Sequence, residues 1–305
     1  FGNGGLARLA ACFMDSLATQ GFPASGHGLH YEYGIFNQLI VEGQQVDQLE
    51  FGMLRGNPWE LSCNDQPLRV RFGGVARHAT DSAGRYCVRW TDCEDVFAMP
   101  SRVLVPGYRN GIVNPLVLWR AVPTAELPQG AAGDSDHVLA LSRKHAGEMV
   151  SRVLQPVRQG EAGRELRLKQ EYFLAAAALQ AIVREYLVLN KDMALLPEKV
   201  AIHINDTHPA VAIPELMRLL VDDYAFPWEA AWNITTRTFA FTSHSLLPEA
   251  LERWETGLFG RVLPRHLEIV YEINRRFLDR VATRFGGDPD RIRAMSLIDE
   301  EGGKA

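Results

Sequence analysis

A single short run, Val200-Ala201-Ile202-His203-Ile204, constrains this chain more than any other segment. It is nearly continuous in apolar residues, too short for a helix, and exits directly into Asn205-Asp206. A strand with no polar alternation is buried on both faces. That suits a buried parallel strand better than a helix. Long helical patterns surround it: one from about Arg164 to Leu189, one opening at Pro214-Glu215 with proline at the first helical position, and one from Pro264 that buries Leu267, Val270, Tyr271, Leu278 and Val281. Gly286 ends that last helix, and Asp288-Pro289 caps the next. The expected class is α/β.

The first half carries two further patterns. Residues 6–20 read as a helix whose core face is Leu6, Leu9, Ala10, Phe13 and Leu17, stopped by Gly21-Phe22-Pro23. From about Tyr31 to Trp119 the period changes to two. Leu68/Val70/Phe72 and Tyr86/Val88/Trp90 predict antiparallel strands with one buried face, and Asp81-Ser82-Ala83-Gly84 a hairpin tip. A helical segment is expected at 136–155, then a glycine-bearing loop at 156–163. No Pro/Gly/Ser-rich linker divides the chain, and there is no internal repeat. The net charge of −5 argues against phosphate-backbone binding as the main business of the chain. No uninterrupted apolar run reaches the roughly 18–20 residues of a membrane span. Four scattered cysteines make no disulfide framework and fit a reducing, cytoplasmic setting. The chain starts at Phe1 and ends just after a helical stretch, which reads as a piece of something longer.

Two stretches could carry chemistry. Gly2-Asn3-Gly4-Gly5-Leu6 lies immediately before a helix, where adjacent glycines admit close approach and the free first-turn N–H groups attract an anion. The same glycines could instead serve tight helix packing. A dinucleotide fingerprint, Gly2-x-Gly4-x-x-Ala7, matches only formally, since no strand precedes it and Glu32 is too distant to hold a ribose. Asn205-Asp206-Thr207-His208-Pro209 follows the 200–204 strand at its carboxyl end, where open α/β sheets put ligand-contacting loops. Asp206 and His208 could line a crevice and bond sugar hydroxyls, or merely cap a turn. Thr242-Ser243-His244-Ser245 reads more economically as a cap before Pro248-Glu249. The basic set Arg265, Arg275, Arg276, Arg280 and Arg284 is balanced by Glu268, Glu272 and Asp279 and reads as a solvated or packed helix face. No metal site is expected: His137 and His145 have no third ligand in register. No G-x-S-x-G marks a serine nucleophile.

Taken together, the blocks resemble the α-glucan phosphorylases (glycogen, starch and maltodextrin phosphorylase). The resemblance rests on 2–13, Tyr31–Gln38, Gly56-Asn57-Pro58-Trp59-Glu60, Val105–Asn110, Glu165–Tyr172, Asn205–Pro209, Ile213–Arg218 and Leu263–Ile269, in family order along essentially the whole chain. It implies a Rossmann-like N-terminal half of a glycosyltransferase-B-type fold, with an antiparallel β excursion and long helices. Residues 1–305 would be most of the N-terminal domain, lacking the segment before the glycine loop and the C-terminal cofactor domain. It implies reversible transfer of a terminal α-1,4-linked glucosyl unit to inorganic phosphate, giving glucose 1-phosphate, in a cytoplasmic homodimer that binds neither nucleic acid nor membrane. Family members use pyridoxal phosphate. By position, Asn3, Gly4, Gly5 and Leu6 would form the loop near the phosphates, with Gly4 and Gly5 close to the cofactor phosphate. Asp206, His208 and Arg167 would line the glucan side. The cofactor lysine has no counterpart here, so this chain alone is expected to be inactive. Three departures stand out: Ala7 replaces a usual glycine, 156–162 differ from the family's substrate loop, and Arg184-Glu185 stands where vertebrate members carry two effector arginines. A non-catalytic glucan-binding or assembly module of the same fold is the alternative.

Overall fold

The computed structural model describes residues 5–32, 37–48, 56–63, 67–82, 84–123, 147–152, 160–247 and 251–300. These form a mixed α/β protein that divides into two compact units. The first comprises residues 1–70 and 95–177, the second 71–94 and 178–305.

The first unit opens with α1 (Gly5–Thr19), followed by β1 (Gly26–Leu29). Two hairpin strands follow, β2 (Asn37–Val41) and β3 (Gln44–Gln48). Glu42 and Gly43 turn them with φ of 50° and 79°, the twist a two-residue hairpin loop demands. After β4 (Glu60–Ser62) and β5 (Leu68–Phe72), the long pair β8 (Glu94–Pro106) and β9 (Val113–Pro123) runs antiparallel from Val96↔Pro123 to Pro106↔Val113. The sheet order is β1-β9-β8-β4, with β5 also on β8. β1 lies parallel to β9, and the glycines of its Gly-His-Gly start have a reason. A Cβ at Gly26 would stand 3.0 Å from Leu116 Cδ1 and 3.2 Å from Met14 Sδ, so α1 docks through space that side chains would fill.

α1 stops where expected. Gly21, at φ 78°, takes the left-handed position after the helix, and Phe22 N–H donates to Leu17 O at 2.9 Å. Its buried face differs from the expected one. Met14 and Ala18 are buried and Leu9 and Leu17 half-buried, whereas Leu6 is exposed and Phe13 is 50% exposed. Periodicity located an apolar stripe, but the sheet meets the helix along its margin. A distant loop finishes the helix. Asn110 Nδ2 donates to Ala18 O (2.8 Å) and Thr19 O (3.0 Å), and Tyr108 N–H donates to Thr19 Oγ1 (3.1 Å). Gly107 is required there, since a Cβ would lie 2.3 Å from Ala18 O. Asn114, buried in β9, likewise donates to Phe22 O at 3.0 Å.

In the second unit β6 (Val75–Thr80) and β7 (Tyr86–Thr91) form the expected hairpin, with Gly84 N–H donating to Asp81 O at its tip. Val88 and Trp90 are buried and Tyr86 is exposed. The strand predicted from the 200–204 run is β10 (Ile202–Asn205), and it is parallel but not buried on both faces: Ile204 is buried, whereas His203 and Asn205 on the other face are exposed. It pairs with β11 (Phe239–Thr242) from Ile202↔Phe239 to Asn205↔Thr242. The crossover between them holds a 3₁₀ turn at His208–Val211, then a helix at Ala212–Arg218, a π turn at Leu219–Asp223 and a helix at Trp228–Thr238. The helix of Pro214 starts two residues earlier than expected, so the proline sits in the first turn but not at its first position. Its missing N–H is an orphan in either place.

In order, the helices beyond α1 are α2 (Glu161–Leu189), α3 (Leu196–Lys199), α4 (Ala212–Arg218), α5 (Trp228–Thr238), α6 (Thr256–Val262), α7 (Pro264–Arg284) and α8 (Pro289–Met295). α2 begins at Glu161, so the end of the predicted loop is already helical. Residues 153–159 and most of the 136–155 segment, with His137 and His145, lie outside the described residues. By length and composition α2 could cross a membrane, contrary to the reading of apolar runs, but Phe173, Ala176, Ala177, Leu179 and Val183 are buried within the protein. α7 runs as predicted and buries Val281 as expected, but the rest of its buried set differs: Arg265, His266, Ile269 and Asn274. Leu267, Val270 and Leu278 are half-buried and Tyr271 is exposed. Asp288 caps α8 by accepting from the N–H groups of Asp290 and Arg291.

The displaced stripe of α7 has an electrostatic cause. Glu215, fully buried on α4, accepts two bonds from Arg218 (2.8 and 2.9 Å) and one from His266 Nε2 (2.6 Å). Burial pushes the Glu215 carboxyl up, but Arg218 beside it and the donors of Arg218 and His266 outweigh this and hold it at about 2. Burial lowers His266 against the pull of Glu215, so the ring is a neutral donor to a carboxylate. Arg265 makes a two-pronged pair with Asp222 at 2.8 and 2.9 Å. These contacts orient α7 by polar groups rather than by its leucines. The remaining arginines behave as the charge balance suggested. Arg275 pairs with Glu272 and Asp279, and Arg276 with Glu272 and Glu229.

Candidate functional site

Where β10 ends, the backbone turns sharply. Asp206 has φ of 60°, a left-handed conformation that aspartate tolerates better than most residues. Such geometry persists only where the surroundings fix it, and here β11 does so. Asp206 N–H donates to Thr242 O (2.9 Å), and Asp206 Oδ1 accepts from His244 N–H (2.9 Å). His244 Nε2 lies 3.1 Å from Asn205 Oδ1, so that nitrogen carries the proton. Two residues back on β10, His203 Nε2 is 2.8 Å from Thr242 Oγ1. The carboxyl ends of two neighbouring parallel strands thus present Asn205, Asp206, Thr242 and His244 as one half-exposed polar cluster. Asp206 Oδ2 has no partner among the described residues and can accept a hydroxyl proton.

His208, two residues further on, starts the 3₁₀ turn with Nε2 3.6 Å from Glu252 Oε1. The sequence predicts a cap at Thr242–Ser245. Its serines do serve local turns, Ser245 Oγ accepting from Leu247 N–H at 3.2 Å. Its histidine, however, belongs to the Asp206 cluster. Pro248 and Glu249 lie outside the described residues. The separation of 38 residues hid this partnership. The available signal was the polar run immediately after a second apolar strand.

The other expected site residues belong to the first unit. Arg167 on α2 is ion-paired with Glu171, Nε to Oε1 2.7 Å. Tyr31 is near both: burial raises its hydroxyl pKa, Arg167 lowers it and Glu171 raises it. Gly5 and Leu6 form the first turn of α1, while Asn3 and Gly4 lie outside the described residues. Gly5 is not in the left-handed region, so no positive φ requires glycine there. A Cβ at Gly5 would meet nothing within 4 Å, which leaves that turn open on its glycine side.

A pyridoxal phosphate needs a lysine in an enclosed polar pocket. Among the described residues, Lys169 is paired with Glu165 at 2.8 Å, and Lys191 and Lys199 are exposed. None fits the aldehyde anchor, and no chemical step is derived through that group.

Polar side chains gathered at the carboxyl ends of parallel strands occupy the position where open α/β sheets place their ligand-contacting groups. The sequence as a whole matches the family described as carbohydrate phosphorylase over residues 1–305. The chain belongs to that family. It is 47% identical to the liver form of glycogen phosphorylase from Bos taurus over 99% of its length. It is 48% identical to the human brain form over 98%, and 47% identical to the human muscle form over 98%. The chain spans about a third of the length of these relatives, 36% in each case.

Proposed function

We propose that the chain forms the glucan-facing part of an α-glucan phosphorylase. The reaction is reversible transfer of a terminal α-1,4-linked glucosyl unit to inorganic phosphate, giving glucose 1-phosphate. The reading rests on family membership and on one observation above the rest: Asp206, fixed in a left-handed turn at a strand end, has one carboxylate oxygen with no partner among the described residues, available to a hydroxyl. In this reading Asp206, His208 and Arg167 face the glucan, and His244 holds the Asp206 turn in place. Asn3, Gly4, Gly5 and Leu6 approach the phosphates, with the open first turn of α1 giving them room. The parallel β10/β11 pair is then part of a Rossmann-like half of a glycosyltransferase-B-type fold. Residues 1–305 make up most of the N-terminal domain of a cytoplasmic homodimer. Pyridoxal phosphate belongs to the whole protein and is held by residues other than the described lysines, so the chain alone performs no phosphorolysis.

Asp206→Asn in the whole protein tests the reading. Asparagine retains both the left-handed turn and the acceptor for His244 N–H while removing the charge. A hydrogen bond to a charged group contributes about 1.5–3 kcal/mol, so kcat/KM for phosphorolysis of a linear maltodextrin falls roughly 10- to 100-fold. Unchanged kcat/KM in a folded variant would take Asp206 off the glucan side.

A further inference from the structure

A second constellation lies on the β6/β7 hairpin. His78 is opposite Val88, which makes Tyr86 its diagonal neighbour, within reach of long side chains. The two rings stack at 5.9 Å with 23° between planes, and His78 Nδ1 is hydrogen-bonded to the Tyr86 hydroxyl. On its other side His78 Nε2 is 3.0 Å from Glu268 Oε1 on α7. Glu268 is itself held, because Arg265 Nη1 donates to its second oxygen at 2.9 Å while the rest of that guanidinium grips Asp222.

The chemistry of the donors fixes the proton order. An ionised carboxylate only accepts, so Nε2 of His78 carries the proton and donates to Glu268. In that tautomer the lone pair is on Nδ1 and faces the phenol, so the Tyr86 hydroxyl donates to it. Hydroxyl, imidazole and carboxylate stand in the relation of an activated nucleophile, its base and the group that orients the base. Tyr86 itself is 70% exposed.

We propose that Tyr86 is a base-activated nucleophile, a modification site at which the phenol oxygen takes an acyl group from an activated acyl donor such as an acyl azole. The phenol oxygen bonds to the acyl carbon as its proton passes to His78 Nδ1. The azole leaves with the electrons of the broken carbon–nitrogen bond and takes that proton, which returns His78 to its neutral form. Glu268 stabilises the imidazolium in between. Nothing is oxidised or reduced.

Tyr108 is the internal control. It is 69% exposed, but its ring packs under the Arg109 guanidinium at 5.1 Å, with no base in the described contacts of its hydroxyl. The protein is treated at neutral pH with N-acetylimidazole below stoichiometry. O-acetyl tyrosines are mapped by peptide mass spectrometry and verified by hydroxylamine reversal. General-base assistance contributes about 10²–10⁴-fold in closed sites, and in this open one Tyr86 is expected to react about 10-fold faster than Tyr108. His78→Phe, which keeps a stacked ring, should bring Tyr86 down to the Tyr108 rate. Glu268→Gln, outside the hairpin, should slow Tyr86 several-fold. Neither should change Tyr108. Tyr86 and Tyr108 rates within about twofold in the unaltered protein, or a Tyr86 rate that survives both substitutions, would overturn the assignment.

Discussion

Replacing Glu215 by alanine removes the acceptor of three buried hydrogen bonds at once: two from Arg218 at 2.8 and 2.9 Å and one from His266 at 2.6 Å. Breaking a buried ion pair from one side costs about 3–5 kcal/mol, because the remaining charge is left without compensation. Arg218 keeps Asp223, which accepts from Nη1 at 3.1 and 3.2 Å and is itself partly exposed. Glu215→Ala should therefore fall at the lower end, about 3 kcal/mol, or roughly a 100-fold loss in the folding equilibrium. Urea unfolding followed by tryptophan fluorescence reads this loss, since the Trp90 ring lies edge-on to His266 at 5.2 Å. The companion variant Glu215→Met/Arg218→Met/His266→Phe removes all charge and replaces it with apolar volume. It should be close to neutral, because replacing a whole buried ionic group often is. A cost below about 1 kcal/mol for Glu215→Ala, or an apolar triple variant as unstable as the single one, would refute this reasoning.

Acid should act on two groups in different windows. Burial lowers His27, which stacks on Trp119, from 6.5 to about 4. Its folded pKa lies below the unfolded one, so its contribution is complete above pH 6.5 and is lost as pH falls through about 4; His27→Phe should flatten stability over that range. Glu215, held at about 2 against an ordinary 4.5, contributes above 4.5 and loses its share as pH falls through about 2, so a second acid transition should vanish in Glu215→Gln. Gly107→Ala would force a Cβ to 2.3 Å from Ala18 O and should destabilise the first unit by about 3 kcal/mol, the upper range for overpacking; a thermal midpoint equal to that of the unaltered protein would contradict this.

The parallel strand at 202–205, the hairpin tip at Asp81, the Gly21 stop and the Asp288-Pro289 cap were all legible, because each depends on a few adjacent residues with a local physical preference. The orientation of helices was not. Leu6 and Phe13 made the stronger apolar stripe on α1, yet Met14 and Ala18 are what the glycine-bearing strand admits. On α7 the leucines marked one side while His266 and Arg265, drawn by Glu215 and Asp222 some 43 to 51 residues away, turned another side inward. The candidate site divides in the same way. Asp206 was visible from its position after an apolar run, whereas His244 needed the pairing of β10 with β11 to show whose neighbour it is.

The capping of α1 by Asn110 also sets an order of events during synthesis. The helix has its sequence by residue 19, yet the side chain that accommodates its last carbonyls is 91 to 92 residues downstream, and the stretch of β9 that pairs with the adjoining β1 begins at Leu116. At a translation rate of about 5–20 residues per second, the helix waits roughly 5–20 s for its neighbours. Throughout that interval Met14 and Ala18 face solvent or whatever holds the nascent chain, and a ribosome stalled before the codon of Asn110 would carry an α1 whose last carbonyls cannot be capped.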